Sequence, residues 1–112
     1  MFVGICKFTL MLGNSTSLKD KRQVVRKLRD QLQNKFNVAV GEVDDLDVHS
    51  RLTMGYSIVG SDYKQVDSAL KKILNVVHER YPGMMVDENF HVEQYSHEFH
   101  SEMISAKWEE DE

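Results

Sequence analysis

Lys19, Lys21, Arg22, Arg26, Lys27, Arg29 and Lys35 place seven positive charges within one short stretch of an otherwise acidic chain. Side chains of this type, gathered in a run, are the ones that neutralise phosphates and give affinity with a steep salt dependence. Through residue 40 the chain carries eight Lys/Arg against two Asp/Glu, and the remainder carries six against sixteen, which together give the formal net charge of −4. Two readings of the run stand side by side. One is a surface for phosphates or an acidic partner, with Lys19, Lys21, Arg22, Arg26 and Arg29 as its contacts and Arg51 as an outlying one. The other is a solvated helix face with local pairs such as Arg26 to Asp30, at i, i+4 spacing. The negative remainder argues against broad wrapping of nucleic acid and for a narrow contact or an acidic protein surface.

Other residues with chemical potential are weaker. Glu42, Asp44, Asp45 and Asp47 form an acidic cluster that could hold Mg²⁺ or supply paired carboxylates. No glycine-rich phosphate loop, nucleophile elbow or Cys/His pairing accompanies them, so a charged hairpin loop is the expected reading. Asp47 and Arg51 have the spacing of a salt bridge that clips this loop, with partner contact as the alternative. His91, His97 and His100, near Glu93, Glu98 and Glu102, have metal-ligand chemistry, but a zinc site needs three or four rigidly held ligands and a chain end offers no such frame. No metal and no cofactor is expected. His78 suits the negative end of a helix. The single cysteine, Cys6, lies in an apolar run and is expected to be a buried, structural thiol.

These residues need a scaffold, and the pattern supplies one. A chain of 112 residues is one domain, able to bury about 65% of its unfolded surface without metal or disulfide. Residues Phe2 to Leu12 are apolar on both alternating sets, the mark of a central strand. Gly13-Asn14-Ser15-Thr16 then turns, and Ser17 followed by Asp20 caps a helix. Leu18, Val25, Leu28, Leu32 and Phe36 form its apolar stripe, with Lys19, Arg22, Arg26 and Arg29 on the flank. Residues 37–43 read as a second strand, and Leu52, Met54, Tyr56 and Ile58 alternate with polar and small residues in a third. Gly60-Ser61-Asp62 begins a second helix, striped by Val66, Ala69, Leu70, Ile73, Leu74 and Val77, and Tyr81-Pro82-Gly83 ends it. A last strand is expected over residues 89–95. The order β-α-β-β-α-β predicts a ferredoxin-like α+β sandwich: a four-stranded antiparallel sheet with both helices on one face, strands one and three central, strands two and four at the edges. Residues 1–95 make the domain; residues 96–112 form an acidic extension in which Phe99, Met103 and Ala106, with Trp108 beyond, have the spacing of a short docked helix, with a frayed acidic tail as the alternative. An open edge or free sheet face makes a homodimer the expected assembly.

Ser17-Leu18-Lys19-Asp20-Lys21-Arg22, Phe36-Asn37-Val38-Ala39-Val40-Gly41-Glu42-Val43 and Thr53-Met54-Gly55-Tyr56-Ser57-Ile58-Val59-Gly60, in this order and spacing, resemble the YlxP-like family, a bacterial domain of unknown function. The resemblance covers about residues 2–95. It implies a ferredoxin-like fold and a gene neighbourhood of translation initiation and ribosome maturation factors, and it brings no enzyme activity with it. Before strand three the family tends to read an acidic residue, an aliphatic one, Trp, Gln and Arg. Here Asp47-Val48-His49-Ser50-Arg51 keeps the acidic and arginine positions and replaces the Trp-Gln pair.

Together the residues and the resemblance lead to a non-catalytic binding module that touches RNA, a ribosomal particle or an acidic protein surface through its first helix. A homodimeric regulatory or small-ligand-sensing protein that uses its sheet face is the alternative. A metal-dependent hydrolase built on Asp44, Asp45, Asp47 and His49 is a more distant one. The opening residues lack a basic region and a cleavage site, and no apolar run approaches the ~20 residues of a membrane span. A cytoplasmic protein is the expectation.

Overall fold

The computed structural model describes residues 1–96. The elements are β1 (Phe2–Met11), α1 (Leu18–Lys35), β2 (Ala39–Asp44), β3 (Arg51–Gly60), α2 (Tyr63–Arg80) and β4 (Met85–Gln94). They form one four-stranded antiparallel sheet in the order β2-β3-β1-β4, with both helices packed on one face. α1 lies over β2, and α2 covers β1, β3 and β4. The expected ferredoxin-like βαββαβ sandwich is the observed fold.

Strand periodicity divides the sheet into two surfaces. Cys6, Phe8 and Leu10 of β1 and Leu52, Met54 and Tyr56 of β3 point under the helices and are buried. They meet Leu28 and Leu32 of α1 and Leu70, Ile73 and Val77 of α2, and each fully buried aliphatic side chain contributes about 2 kcal/mol. α2 lies so close to the sheet that a Cβ on Gly4 would stand 2.7 Å from Val66 Cγ1, and one on Gly60 2.8 Å from Val66 Cγ2. Cys6 is the buried structural thiol expected, and burial pushes its pKa up. Burial likewise raises the Tyr56 phenol, whose hydroxyl donates to the Leu70 carbonyl at 2.7 Å.

Both caps are as the sequence indicates. Ser17 Oγ accepts from the Asp20 N–H at 3.1 Å, and Asp62 Oδ2 accepts from the Gln65 N–H at 3.1 Å. Gly83, at φ 74°, makes the turn after α2.

Strand four begins four residues earlier than expected, at Met85. Charged Asp87 and Glu88 obscure it in the sequence, but an edge strand exposes both and keeps them solvated. β4 also carries an extra residue opposite the Thr9/Leu10 step, since Thr9 pairs with Asp87 and Leu10 with Met85, leaving Val86 as a bulge. β2 has the same device: Glu42 pairs with Met54 and Asp44 with Thr53, leaving Val43 unpaired. His97, His100 and the stripe from Phe99 to Trp108 lie outside the described residues.

Candidate functional site: the outer face of the first helix

At ~100° per residue, Lys19, Arg22, Arg26 and Arg29 occupy one strip of α1 about 80° wide, turned away from Leu28 and Leu32. Lys19, Arg22 and Arg26 are exposed, and Arg29 is half-buried. Among the described residues, Lys19, Arg22 and Arg26 make no ion pair. The expected Arg26–Asp30 pair does not form; Asp30 Oδ1 instead lies 3.7 Å from Arg29 Nε, an exposed contact of small energetic value. From Lys19 to Arg29 the strip is about 15 Å long at 1.5 Å rise per residue. Its N-terminal end is fixed by the cap, where Asp20 Oδ2 accepts from the Thr16 N–H at 3.1 Å and from the Thr16 hydroxyl at 2.9 Å. Those bonds, the backbone one foremost, hold the Asp20 carboxyl below the usual carboxylate range.

Lys21 corrects the sequence reading. It is 1% exposed and belongs to the core side of α1. Its ammonium donates to the carbonyls of Asp45 and of Val48, the latter at 2.9 Å, and lies 2.6 Å from Glu42 Oε2. Two hydrogen bonds to carbonyls and one ion pair thus surround the buried ammonium, which is not open to a partner. The signal was present in the sequence: Lys21 precedes Leu28 by two helical turns, which puts it about 20° from that residue on the helical wheel. Charge counting alone gave no sign of this.

Arg51 is also set apart. It is exposed at the start of β3 and lines a polar depression on the helix-free face of the sheet with Lys7, Thr9, Asp44 and Asp87. The four α1 cations and Arg51 therefore belong to opposite layers. Asp47 makes no ion pair with Arg51 among the described residues, and the β2–β3 loop is clipped by other bonds. Lys21 holds its two carbonyls, His49 Nδ1 is 3.0 Å from the Ser15 carbonyl oxygen, and Thr53 Oγ1 donates to Asp45 Oδ2 at 2.7 Å. Because the Thr53 proton goes to Asp45, the 2.9 Å contact between Thr9 and Thr53 hydroxyls is a donation from Thr9.

The acidic cluster disperses. Glu42 turns under the helices to Lys21, Asp44 lies 3.8 Å from Lys7 on the opposite face, and Asp45 accepts from Thr53. Among the described residues no three His, Cys, Asp or Glu converge on a point where a metal could sit. His91 Nε2 is 3.3 Å from Glu93 Oε2, and His78, in the last turn of α2, is 2.7 Å from Glu88 Oε2. No helix among the described residues is long and apolar enough to cross a membrane.

A two-layer βαββαβ sandwich with a basic strip on the outer face of its first helix defines a ferredoxin-like α+β domain. The chain belongs to the family described as protein of unknown function, DUF503, whose model matches residues 3–90. It is 31% identical over 72 residues to the uncharacterized protein YlxP of Bacillus subtilis (strain 168), covering 64% of this chain and 78% of that one. Among solved structures it is similar to the VAO-type flavoprotein MtVAO713 from Myceliophthora thermophila C1, at a TM-score of 0.51 and 20% identity. That match covers 88% of this chain but only 19% of the flavoprotein, and at this identity it speaks for the fold alone.

Proposed function

We propose that this protein is a cytoplasmic, non-catalytic binding module that takes the phosphate backbone of RNA on the outer face of α1, within the translation machinery that the family resemblance implies. The observation that carries the reading is the strip itself. Lys19, Arg22, Arg26 and Arg29 line up along about 15 Å of helix, and the first three have no internal ion pair among the described residues. Three of the four are arginines, whose planar forks match phosphate oxygens and cost less to order than a lysine ammonium.

The helix-free sheet face favours this choice of surface. RNA-binding sheets of the RRM type stack bases on exposed aromatics. Here the corresponding positions hold Ile5, Lys7, Gly55 and Ser57, with a single ring, His91, engaged by Glu93 at 3.3 Å, and Phe90 lies on the helix side, 5.9 Å below the Lys71 ammonium. Phosphate contact by a helix is then the available mode, with little base readout and strong sensitivity to salt.

Co-sedimentation of the full chain with ribosomal particles, at low and at moderate salt, tests the reading against R22E/R26E/R29E. Salt-sensitive association that the variant loses supports it; association unchanged in the variant, or none at either salt, defeats it.

A further inference from the structure

The helix-free face of the sheet carries more apolar surface than a solvated face requires. Ile5 is 52% exposed, Val43 55% and Val59 70%. Beside Ile5 and Val43 lies an apolar trough of about 700 Å³ lined by residues of all four strands. Its floor is made of small residues, Ala39 and Gly41 on β2 and Ser57 on β3, with Gly55 beneath the Val43 side chain, and Ile5 and Lys7 form a ridge along β1. Ridge and floor are register neighbours: Ile5 pairs with Ser57 and Lys7 with Gly55.

We propose that this face binds a second copy of the chain, sheet against sheet, about a two-fold axis parallel to the strands and midway between β1 and β3. Such an axis carries β1 of each copy over β3 of the other at the same height. Ile5 then seats on Ser57, and the stem of Lys7 on the Val43 side chain that covers Gly55, in both directions at once, at the ~10 Å spacing of packed sheets. A face that holds a ridge and the matching floor side by side is self-complementary, which is what an isologous interface demands.

Area and charge agree with this occupant. Three ten-residue strands and a six-residue one present a face about 33 Å by 19 Å, roughly 600 Å² before side-chain relief is counted, close to the ~800 Å² per partner of a standard interface. The charges on this face come already paired within one chain, Lys7 on the central strand with Asp44 at 3.8 Å and His91 on the edge strand with Glu93 at 3.3 Å. Closure therefore brings Lys7 into the interface together with Asp44 and not as an isolated charge. The helices form the outer layers of the resulting four-layer sandwich, so each dimer displays two α1 faces on opposite sides. The interface itself does not depend on what α1 binds.

Sedimentation velocity on the full chain, from about 1 to 100 μM, is the test. The wild-type protein is expected to sediment at twice 13.0 kDa over the upper part of that range. Ile5→Glu, made alone at an exposed position and checked for an unchanged far-UV spectrum, is expected to raise the dissociation constant about 100-fold or more, because it places an unpaired carboxylate at the interface centre, and Val59→Glu, near the end of β3, is expected to raise it less. R22E/R26E/R29E is expected to dimerise as wild type. A wild-type monomer throughout the range overturns the proposal, whether residues 97–112 or another protein then covers the face. So does a dimer that neither Ile5→Glu nor Val59→Glu weakens.

Discussion

Replacing Lys21 with methionine removes a charge from a helix that has many, yet the structure gives this one lysine a distinct and larger effect. Its side chain is 2% exposed, that of its partner Glu42 18%. Lys21→Met keeps the length and the apolar stem but deletes three donors, leaving Glu42 buried without its cation and the carbonyls of Asp45 and Val48 without theirs. Breaking a buried pair from one side costs about 3–5 kcal/mol, a large share of the ~5–15 kcal/mol that holds a domain together. At about 4 °C per kcal/mol for a domain near this size, the melting temperature falls by roughly 12–20 °C. Replacing both partners, as K21M/E42L, removes the stranded carboxylate and restores at least ~1 kcal/mol relative to the sum of the single effects, which is the coupling a double-mutant cycle reads. Urea unfolding followed by far-UV circular dichroism measures all four proteins. A Lys21→Met variant within ~0.5 kcal/mol of wild type, or strict additivity in the cycle, would refute the internal role of Lys21.

Three further outcomes follow from the packing and the caps. Gly4→Val drives a branched side chain into Val66 and Leu70, which already stand within 3.0 Å of a bare Cβ, and is expected to cost about 1–3 kcal/mol by the same urea assay. Cys6, 4% exposed and with its pKa raised by burial, is expected to stay unlabelled by a thiol reagent at pH 8 in the native protein and to react fully in denaturant; rapid native labelling would contradict its placement. Asp20, whose carboxyl is held below its unfolded value of 3.8 by Thr16, contributes stability that is fully present above that pH and is lost as pH falls through the lower folded value. Asp20→Asn should therefore be less stable than wild type at pH 7, with the gap closing only below pH 3.8 in acid-unfolding curves.

The fold was legible because two periodicities and two caps agreed. Ser17 and Asp62 opened the helices, Leu28, Leu32, Leu70 and Val77 marked their buried stripes, and Leu52, Met54 and Tyr56 marked a strand with one face covered. What escaped the reading lies where two rules compete. Lys21 is a charge in an apolar position, and only the angular position on the helix, not residue type, separates it from Arg22. Asp87 and Glu88 lower β-propensity, but an edge strand tolerates them because both stay in water. The bulges at Val43 and Val86 leave no local mark, since a single extra residue shows itself only against the register of its partner strand. The basic strip was visible as a cluster of charges; that Arg51 belongs to the opposite face follows from the parity of its position in β3, which becomes fixed once Leu52 and Met54 are known to be buried.

The central claim, RNA phosphate contact by the α1 strip, is tested most directly by titrating a short labelled single-stranded RNA with the full chain at several salt concentrations and reading fluorescence anisotropy. Four contacts on single-stranded RNA predict that log K falls with log salt at a slope of about −2.8, at ~0.7 per contact, and that R22E/R26E/R29E removes measurable binding at every salt. A slope near zero, or a variant that binds with the wild-type slope, would contradict it.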